Sequence, residues 1–128
     1  MPGKIPRPTD SELEILQVLW ANGPSSVRFV HEQISQQRDV GYTTVLKLMQ
    51  IMAEKGLAGR DTSKRTHIYR ARVAEEETQQ NLLRRFMDTT FRGSASKLVL
   101  QALGNAKTSP EELDEIKALI QRMEDEQE

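Results

Sequence analysis

The hydrophobic period of this chain of 128 residues changes at Gly56, and this change constrains its fold more than any other feature. Before Gly56, apolar residues recur at the three- and four-residue spacing of helices. After it, two short runs, 57–61 and 66–72, alternate with the two-residue period of strands. The polar, basic segment 62–65 between them predicts a hairpin tip. Helices followed by a basic β-hairpin are typical of a winged helix-turn-helix.

Two short helices are predicted near the start of the chain. The first covers about 9–21 and begins at a capping box, because Glu12 follows Thr9 by three residues. Trp20 on this helix is expected to anchor the core. The second helix covers about 26–37, and Ser25-Ser26 supplies its N-cap. Its predicted core residues are Val27, Val30 and Ile34.

A third helix, 42–55, is amphipathic. Gly41 can cap its start, and Gly56 can adopt the left-handed conformation that ends a helix. The residues expected to face the core are Val45, Leu48, Met49 and Met52. Those on the opposite side are Thr43, Lys47, Gln50 and Glu54. By itself, this polar side is that of an ordinary solvated helix, and the hairpin that follows makes a binding role the better interpretation.

The net charge of −1 conceals an uneven distribution. Residues 1–73 carry 11 basic and 7 acidic side chains, whereas residues 74–128 carry 7 and 12. The excess is densest in 42–72, which has 7 basic and 2 acidic residues. This part of the chain is suited to a polyanion, and the acidic part would be repelled by one.

These features predict a double-stranded DNA contact surface. A helix in the major groove directs its first outward side chains at base edges. The candidates on the third helix are Tyr42, Thr43, Thr44, Leu46, Lys47 and Gln50. Arg28 of the second helix is expected to clamp the DNA backbone. The candidates for phosphate or minor-groove contacts on and near the hairpin are Arg60, Lys64, Arg65 and Arg70.

The acidic part, 75–128, returns to a helical pattern, with predicted helices at 75–91, 95–103 and from Ser109 onward. So short a segment could hardly bury its apolar faces alone, so pairing with a second copy is expected. Packing on the N-terminal domain is the alternative. The expected dimerisation residues are Leu82, Leu83, Phe86, Leu98, Leu113, Ile116 and Ile120. The predicted organisation is a flexible arm at 1–8, a winged-helix domain at 9–73 and a helical dimerisation domain at 74–128.

Composition argues against several other classes of protein. The chain has no Cys, which excludes disulfides and thiolate metal sites. Its two His residues suggest no catalytic or metal-binding arrangement, so we expect no enzyme activity, no metal and no cofactor. No apolar run is long enough to span a membrane, and the N-terminus lacks the apolar core of a signal peptide. The cytoplasm is the expected location.

Five segments in order resemble the penicillinase-repressor family (BlaI/MecI/CopY-like): Leu16–Gly23, Val27–Glu32, Gly41–Leu46, Glu54–Leu57 and Arg65–Arg70. The helical tail resembles the family's dimerisation region, though more weakly. The resemblance implies a cytoplasmic homodimeric repressor that binds an inverted-repeat operator and controls β-lactam-resistance or related genes. It implies DNA-reading positions at Thr43, Thr44 and Lys47, and a wing at 61–68. It further implies a membrane sensor or a protease pathway as an upstream partner.

The chain departs from the family pattern at two places. Penicillinase-type members are cleaved at an Asn-Phe bond where this chain has Gln101-Ala102. Copper-responsive members carry Cys pairs near the C-terminus, and this chain has none. One alternative is therefore a repressor of the same fold that a non-proteolytic signal releases from DNA. Another is a winged-helix protein–protein interaction module that never contacts DNA.

Overall fold

The computed structural model describes residues 6–127, which form six helices and three short strands. The order along the chain is α1 (Asp10–Asn22), β1 (Ser25–Ser26), α2 (Val27–Ser35), α3 (Tyr42–Lys55), β2 (Ala58–Asp61), β3 (Ile68–Ala71), α4 (Glu75–Phe91), α5 (Ala95–Asn105) and α6 (Pro110–Glu126). The predicted fold class, mainly helical with a small β-hairpin wing, is confirmed. Two compact units divide between Leu82 and Leu83, inside α4.

Local sequence signals account for most helix ends. At the start of α1, Glu12 N donates to Thr9 Oγ1 at 3.2 Å and Thr9 N donates to Glu12 Oε1 at 2.9 Å, which completes the predicted capping box. Ser109 caps α6 in the same way. Helix α2 ends at Ser35, two residues earlier than predicted, because the polar residues after Ile34 have no apolar side chain to pack on the core.

The strands form one antiparallel sheet in the order β1-β3-β2. Arg60 of β2 and Ser25 of β1 both pair with Tyr69, so β3 lies in the centre. Strands β2 and β3 are shorter than the predicted runs. No sequence pattern predicts β1 as a strand, because two residues are too few to show a period of two.

The core of the first unit lies between the three helices and the sheet. Its buried apolar residues are Ile15, Leu16, Leu19, Val27, Val30, Ile34, Val45, Met49, Met52, Leu57, Ala58, Tyr69 and Val73. Trp20 was expected to anchor this core, and it packs against it while remaining half-buried. Its indole Nε1 donates to Val73 O at 2.9 Å, which fastens the chain after β3 to α1.

A carboxylate is buried beside this core. Glu12 is only 2% exposed, and Lys55 Nζ donates to both of its oxygens at 2.7 and 2.9 Å. Burial acts against ionisation of Glu12, but hydrogen bonds from Lys55 and Thr9 outweigh it and lower its pKa. This ion pair joins the first turn of α1 to the last turn of α3.

The first five residues of the predicted arm at 1–8 lie outside the described residues. Pro8 is buried, so packing of the first unit begins before Thr9. The predicted boundary at 73/74 also differs from the division after Leu82. Thr78 accounts for part of this difference, because it is buried in α4 and its hydroxyl donates to Ala74 O at 2.7 Å.

The second unit, from Leu83 onward, comprises the end of α4 with α5 and α6. Arg92 and Gly93 both have positive φ, 52° and 80°, where the chain leaves α4. No residue of α5 or α6 is buried. Among the described helices, none is both long and apolar enough to cross a lipid bilayer.

Candidate nucleic-acid interface

The outer face of α3 is polar, and its inner face holds the helix on the core. Val45, Met49 and Met52 are buried, and Leu48, predicted for the same stripe, is half-buried. The outward side chains predicted to read DNA are all exposed: Thr43, Thr44, Lys47 and Gln50. Because the inner face fixes the rotation of the helix, these four side chains are presented together.

The N-terminus of α3 has no side-chain cap. Gly41 has φ −76° and ψ 148°, and no side chain accepts from the first turn. The first backbone N–H groups of a helix have no partner within it, and they carry the positive end of the helix dipole. Such an end can receive a phosphate. Tyr42 lies at this end with 46% of its surface exposed.

A groove of about 280 Å³ separates the start of α3, the start of α2 and the hairpin. It brings together four predicted site residues from three elements: Arg28, Tyr42, Leu46 and Arg65. Leu46 also packs against the core and is half-buried, so only part of it is available to a thymine methyl group. Arg28 Nε lies 3.4 Å from Glu32 Oε1, and both side chains are exposed, so this pair holds Arg28 weakly.

The wing consists of β2, β3 and the loop 62–67 that joins them. Arg60, Lys64 and Arg65 are exposed on it. Ser63 N donates to Asp61 Oδ1 at 2.9 Å at the start of the loop. Hydrogen bonds from the side chain and backbone of Ser63 lower the pKa of Asp61, with a smaller effect from the charge of Arg70. The Asp61 carboxylate therefore stays ionised and shapes the turn that presents the loop cations.

Arg70 occupies a different position from the loop cations. A Cβ built on Gly59 would lie 3.0 Å from Arg70 Cζ, so the guanidinium lies directly against Gly59 of β2. Gly59 and Arg70 are register partners, so a side chain at Gly59 would displace the end of the Arg70 side chain. Arg70 is exposed and forms no ion pair among the described residues, so it stays a candidate for the predicted phosphate or minor-groove contact.

Two further cations of the first unit are committed to carboxylates. Lys55 pairs with buried Glu12, as described above. Arg38 donates to both oxygens of Glu14, with Nη2 at 2.7 Å from Oε1, and this pairing lowers the pKa of Glu14. Lys55 is one of the seven basic residues counted in 42–72, so that count overstates the charge available to a polyanion. No local signal marked Lys55, because its partner is 43 positions away.

The remaining cations of the predicted set have no carboxylate partner. Within the part of the chain that the structure describes, Lys47, Arg60, Lys64 and Arg65 form no ion pair. All four are exposed on α3 or the wing. These elements therefore present positive charge that the fold itself does not neutralise.

The two His residues have different surroundings. His31 Nε2 donates to Val40 O at 2.8 Å, and His67 is exposed on the wing. No cluster of three His, Asp or Glu side chains suited to a metal ion occurs among residues 6–127.

The helices predicted to dimerise leave their apolar side chains in solvent. Leu83, Phe86, Leu113 and Ile120 are exposed, whereas Leu82, Leu98 and Ile116 are half-buried. The exposed set also includes Val99, Leu100, Leu103, Leu119 and Met123. Leu100, which was absent from the predicted set, is 70% exposed and the most exposed large apolar residue of this unit. Monomeric proteins rarely leave so many apolar residues of adjacent helices uncovered.

A family model described as penicillinase repressor matches residues 8–122. The penicillinase repressor of Bacillus licheniformis is 23% identical over 118 residues, which are 92% of this chain and 92% of that protein. The methicillin resistance regulatory protein MecI of Staphylococcus epidermidis is 21% identical over 114 residues, 89% of this chain and 93% of that protein. The transcriptional regulator BlaI of Mycobacterium tuberculosis is 39% identical over 67 residues, 52% of this chain and 49% of that protein.

Two solved structures have a similar fold. The solution structure of the DNA binding domain of the repressor BlaI aligns with a TM-score of 0.52 and 23% identity, over 58% of this chain and 90% of that one. The Bacillus licheniformis BlaI monomeric form in complex with the blaP half-operator aligns with a TM-score of 0.50 and the same identity and coverage. At this identity the likeness supports the winged-helix fold alone.

Proposed function

The chain belongs to the penicillinase repressor family, and on that premise we propose that it is a transcriptional repressor that binds operator DNA as a homodimer. One observation carries the proposal: Lys47, Arg60, Lys64 and Arg65 are exposed on α3 and the wing, without carboxylate partners among the described residues. Cations that the fold leaves unneutralised can displace the counterions of DNA, and this displacement favours binding.

In the proposed complex α3 lies in the major groove. Its first outward residues, Thr43, Thr44 and Lys47, are then closest to the base edges. Thr can bond a base or phosphate, and Lys can reach guanine O6 and N7. Gln50 lies on the same face, about two helical turns after Thr43. With so few base-reading side chains on one helix, much of the affinity comes from the wing and from the presence of two copies.

The homodimer is supported by the uncovered apolar side chains of the second unit. Leu83, Phe86, Leu100, Ile120 and Met123 are each about half exposed or more. Covering them with the same surface of a second chain removes this apolar area from water. A two-fold dimer presents two copies of α3, so its operator would be an inverted repeat.

The regulated genes are proposed from relatives named for penicillinase repression and methicillin resistance. We assign this protein to β-lactam-resistance or related genes and to the cytoplasm, where its target DNA is found. A membrane sensor or protease pathway is the proposed upstream partner. Gln101-Ala102 is exposed within α5, at the place where the family resemblance implies the Asn-Phe bond of penicillinase-type members. We therefore keep two possible routes of release from DNA: proteolytic cleavage and a non-proteolytic signal.

The proposal is tested by measuring duplex binding as a function of salt. A duplex selected from a random-sequence library by the full-length protein is compared with a scrambled duplex of the same composition. The three wing cations give six phosphate contacts per dimer, and Lys47 adds two more where it contacts phosphate, so log K against log[salt] should have a slope of about −5 to −7. Genome-wide footprinting then identifies the operator and its neighbouring genes together.

Two results would contradict the proposal. A protein–protein interaction module would bind neither duplex in a salt-dependent manner. A dimeric repressor should protect two half-sites about one helical turn apart, or a multiple of this spacing. Protection of a single, asymmetric half-site at saturation would refute the homodimeric mode of binding.

A further inference from the structure

The start of α3 is fixed by α2. Segment 36–41 joins the two helices, and the N-cap, Gly41, makes no side-chain hydrogen bond to the first turn. Ser, Thr, Asp and Asn are preferred at this position, because their side chains accept from N–H groups of the first turn. Helix α3 lacks such a side-chain cap at its N-terminal end, where the proposed base-reading side chains lie.

One side chain of α2 contacts the residues on both sides of this N-cap. His31 Nε2 donates to Val40 O at 2.8 Å. The same ring packs edge-to-face with the ring of Tyr42, with centroids 5.8 Å apart and planes at 85°. Edge-to-face packing is a favourable geometry for aromatic rings. His31 is half-buried, and Val40 packs against the core, so both ends of this linkage are anchored in the first unit.

The position of this linkage bears on how α3 would meet DNA. Thr43 is the residue after Tyr42, and Lys47 lies five residues after Tyr42; both are exposed. Hydrogen bonds to base edges depend steeply on distance and angle, whereas attraction between a cation and a phosphate tolerates small displacements. A binding constellation must be held within roughly 0.5 Å to be productive. A loosened start of α3 would therefore impair base reading more than phosphate binding.

We propose that His31 is a positioning residue for operator reading, which fixes the start of α3 through its hydrogen bond to Val40 and its contact with Tyr42. This inference rests on the proposed function, since it concerns how sharply the protein distinguishes its operator from other DNA. The hydrogen bond is the main element, because it immobilises the backbone that leads into α3. The ring contact adds the orientation of Tyr42.

Three substitutions separate these contributions. His31→Gln keeps an N–H donor near the position of Nε2 but removes the ring. His31→Phe keeps a ring against Tyr42 but removes the donor, and His31→Ala removes both. Ser35→Ala is the matched control, since it is an exposed substitution at the end of the same helix. The probes are the duplex selected by the full-length wild-type protein and a scrambled duplex of equal length.

The ratio of the two affinities is the decisive measurement. His31→Ala should lower this ratio about fivefold, the effect of one lost hydrogen bond of about average strength. Its affinity for the scrambled duplex should stay within about twofold of wild type, because phosphate contacts remain. His31→Gln should recover most of the ratio and His31→Phe little of it. Amide hydrogen exchange at Val45, whose N donates to Gly41 O at 3.2 Å in the first turn of α3, should be faster in His31→Ala than in Ser35→Ala.

Other results would overturn the inference. A merely structural role would lower both affinities together, in proportion to the unfolded fraction, and would leave their ratio unchanged. Wild-type ratios in His31→Ala and His31→Phe would also refute it, while leaving the proposed function intact. Failure of the wild-type protein to prefer any selected duplex would overturn the proposed function and this inference together.

Discussion

Lys47 and Lys55 lie on the same helix, and the structure predicts opposite effects for the same substitution at the two positions. Lys55 Nζ donates to both oxygens of Glu12, which is 2% exposed. Lys55→Met leaves that carboxylate with Thr9 N as its remaining hydrogen-bond donor. Breaking a buried pair from one side costs about 3–5 kcal/mol. We expect about 3 kcal/mol of unfolding free energy to be lost, because the Lys55 side chain is one-third exposed.

The pH dependence tests the cause of this loss. In the wild type the pKa of Glu12 is lowered from its usual 4.5, so its contribution to stability is present above pH 4.5 and is lost as pH falls through the lowered pKa. In Lys55→Met, burial without the ammonium partner raises the pKa of Glu12, so protonation relieves the strain. The difference in unfolding free energy between Lys55→Met and the wild type should therefore be largest near pH 7 and should shrink towards pH 4.

Lys47→Met is the matched control, because Lys47 is exposed and has no ion-pair partner within the described chain. The free energy of unfolding, measured with urea at pH 7, should change by less than about 0.5 kcal/mol for this surface substitution. Its salt slope on duplex DNA should be smaller by about one unit per lost phosphate contact, whereas Lys55→Met should keep the wild-type slope. Equal stabilities for the two variants, or a loss of slope in Lys55→Met, would refute this division of roles.

Three further predictions concern the wing and the second unit. Lys64→Ala combined with Arg65→Ala should weaken binding to operator and random duplex alike and reduce the salt slope by about 3 to 4 units for the dimer; a selective loss of operator preference would mean that the wing reads bases. A fragment ending at Leu82, where the first unit ends, should stay folded, sediment as a monomer and bind DNA weakly, and a dimeric fragment would contradict the assignment of the tail. Phe86→Glu, which introduces a charge at an exposed apolar position, should raise the dimer dissociation constant at least about a hundredfold in sedimentation velocity experiments, whereas Gln80→Glu on the same helix should not change it.

Features of the fold that depend on neighbouring residues could be predicted from the sequence. The capping boxes at Thr9 and Ser109 and the left-handed glycine at Gly56 define helix ends through bonds that span a few positions. The start and end of α4 at Glu75 and Phe91 agree with the prediction. The helical period before Gly56 and the strand period after it suffice for the winged-helix class, because periodicity reports which side of a local element is buried.

The tertiary structure decided which of the basic side chains are free to contact DNA. Lys47 and Lys55 are the same residue type on one helix, yet only Lys47 is exposed without a partner in the described chain, because the fold brings Glu12 to Lys55. The bond from His31 to Val40 also has no signature in the sequence. Burial and pairing over long sequence separations depend on how the elements pack, and local patterns carry no information about that packing.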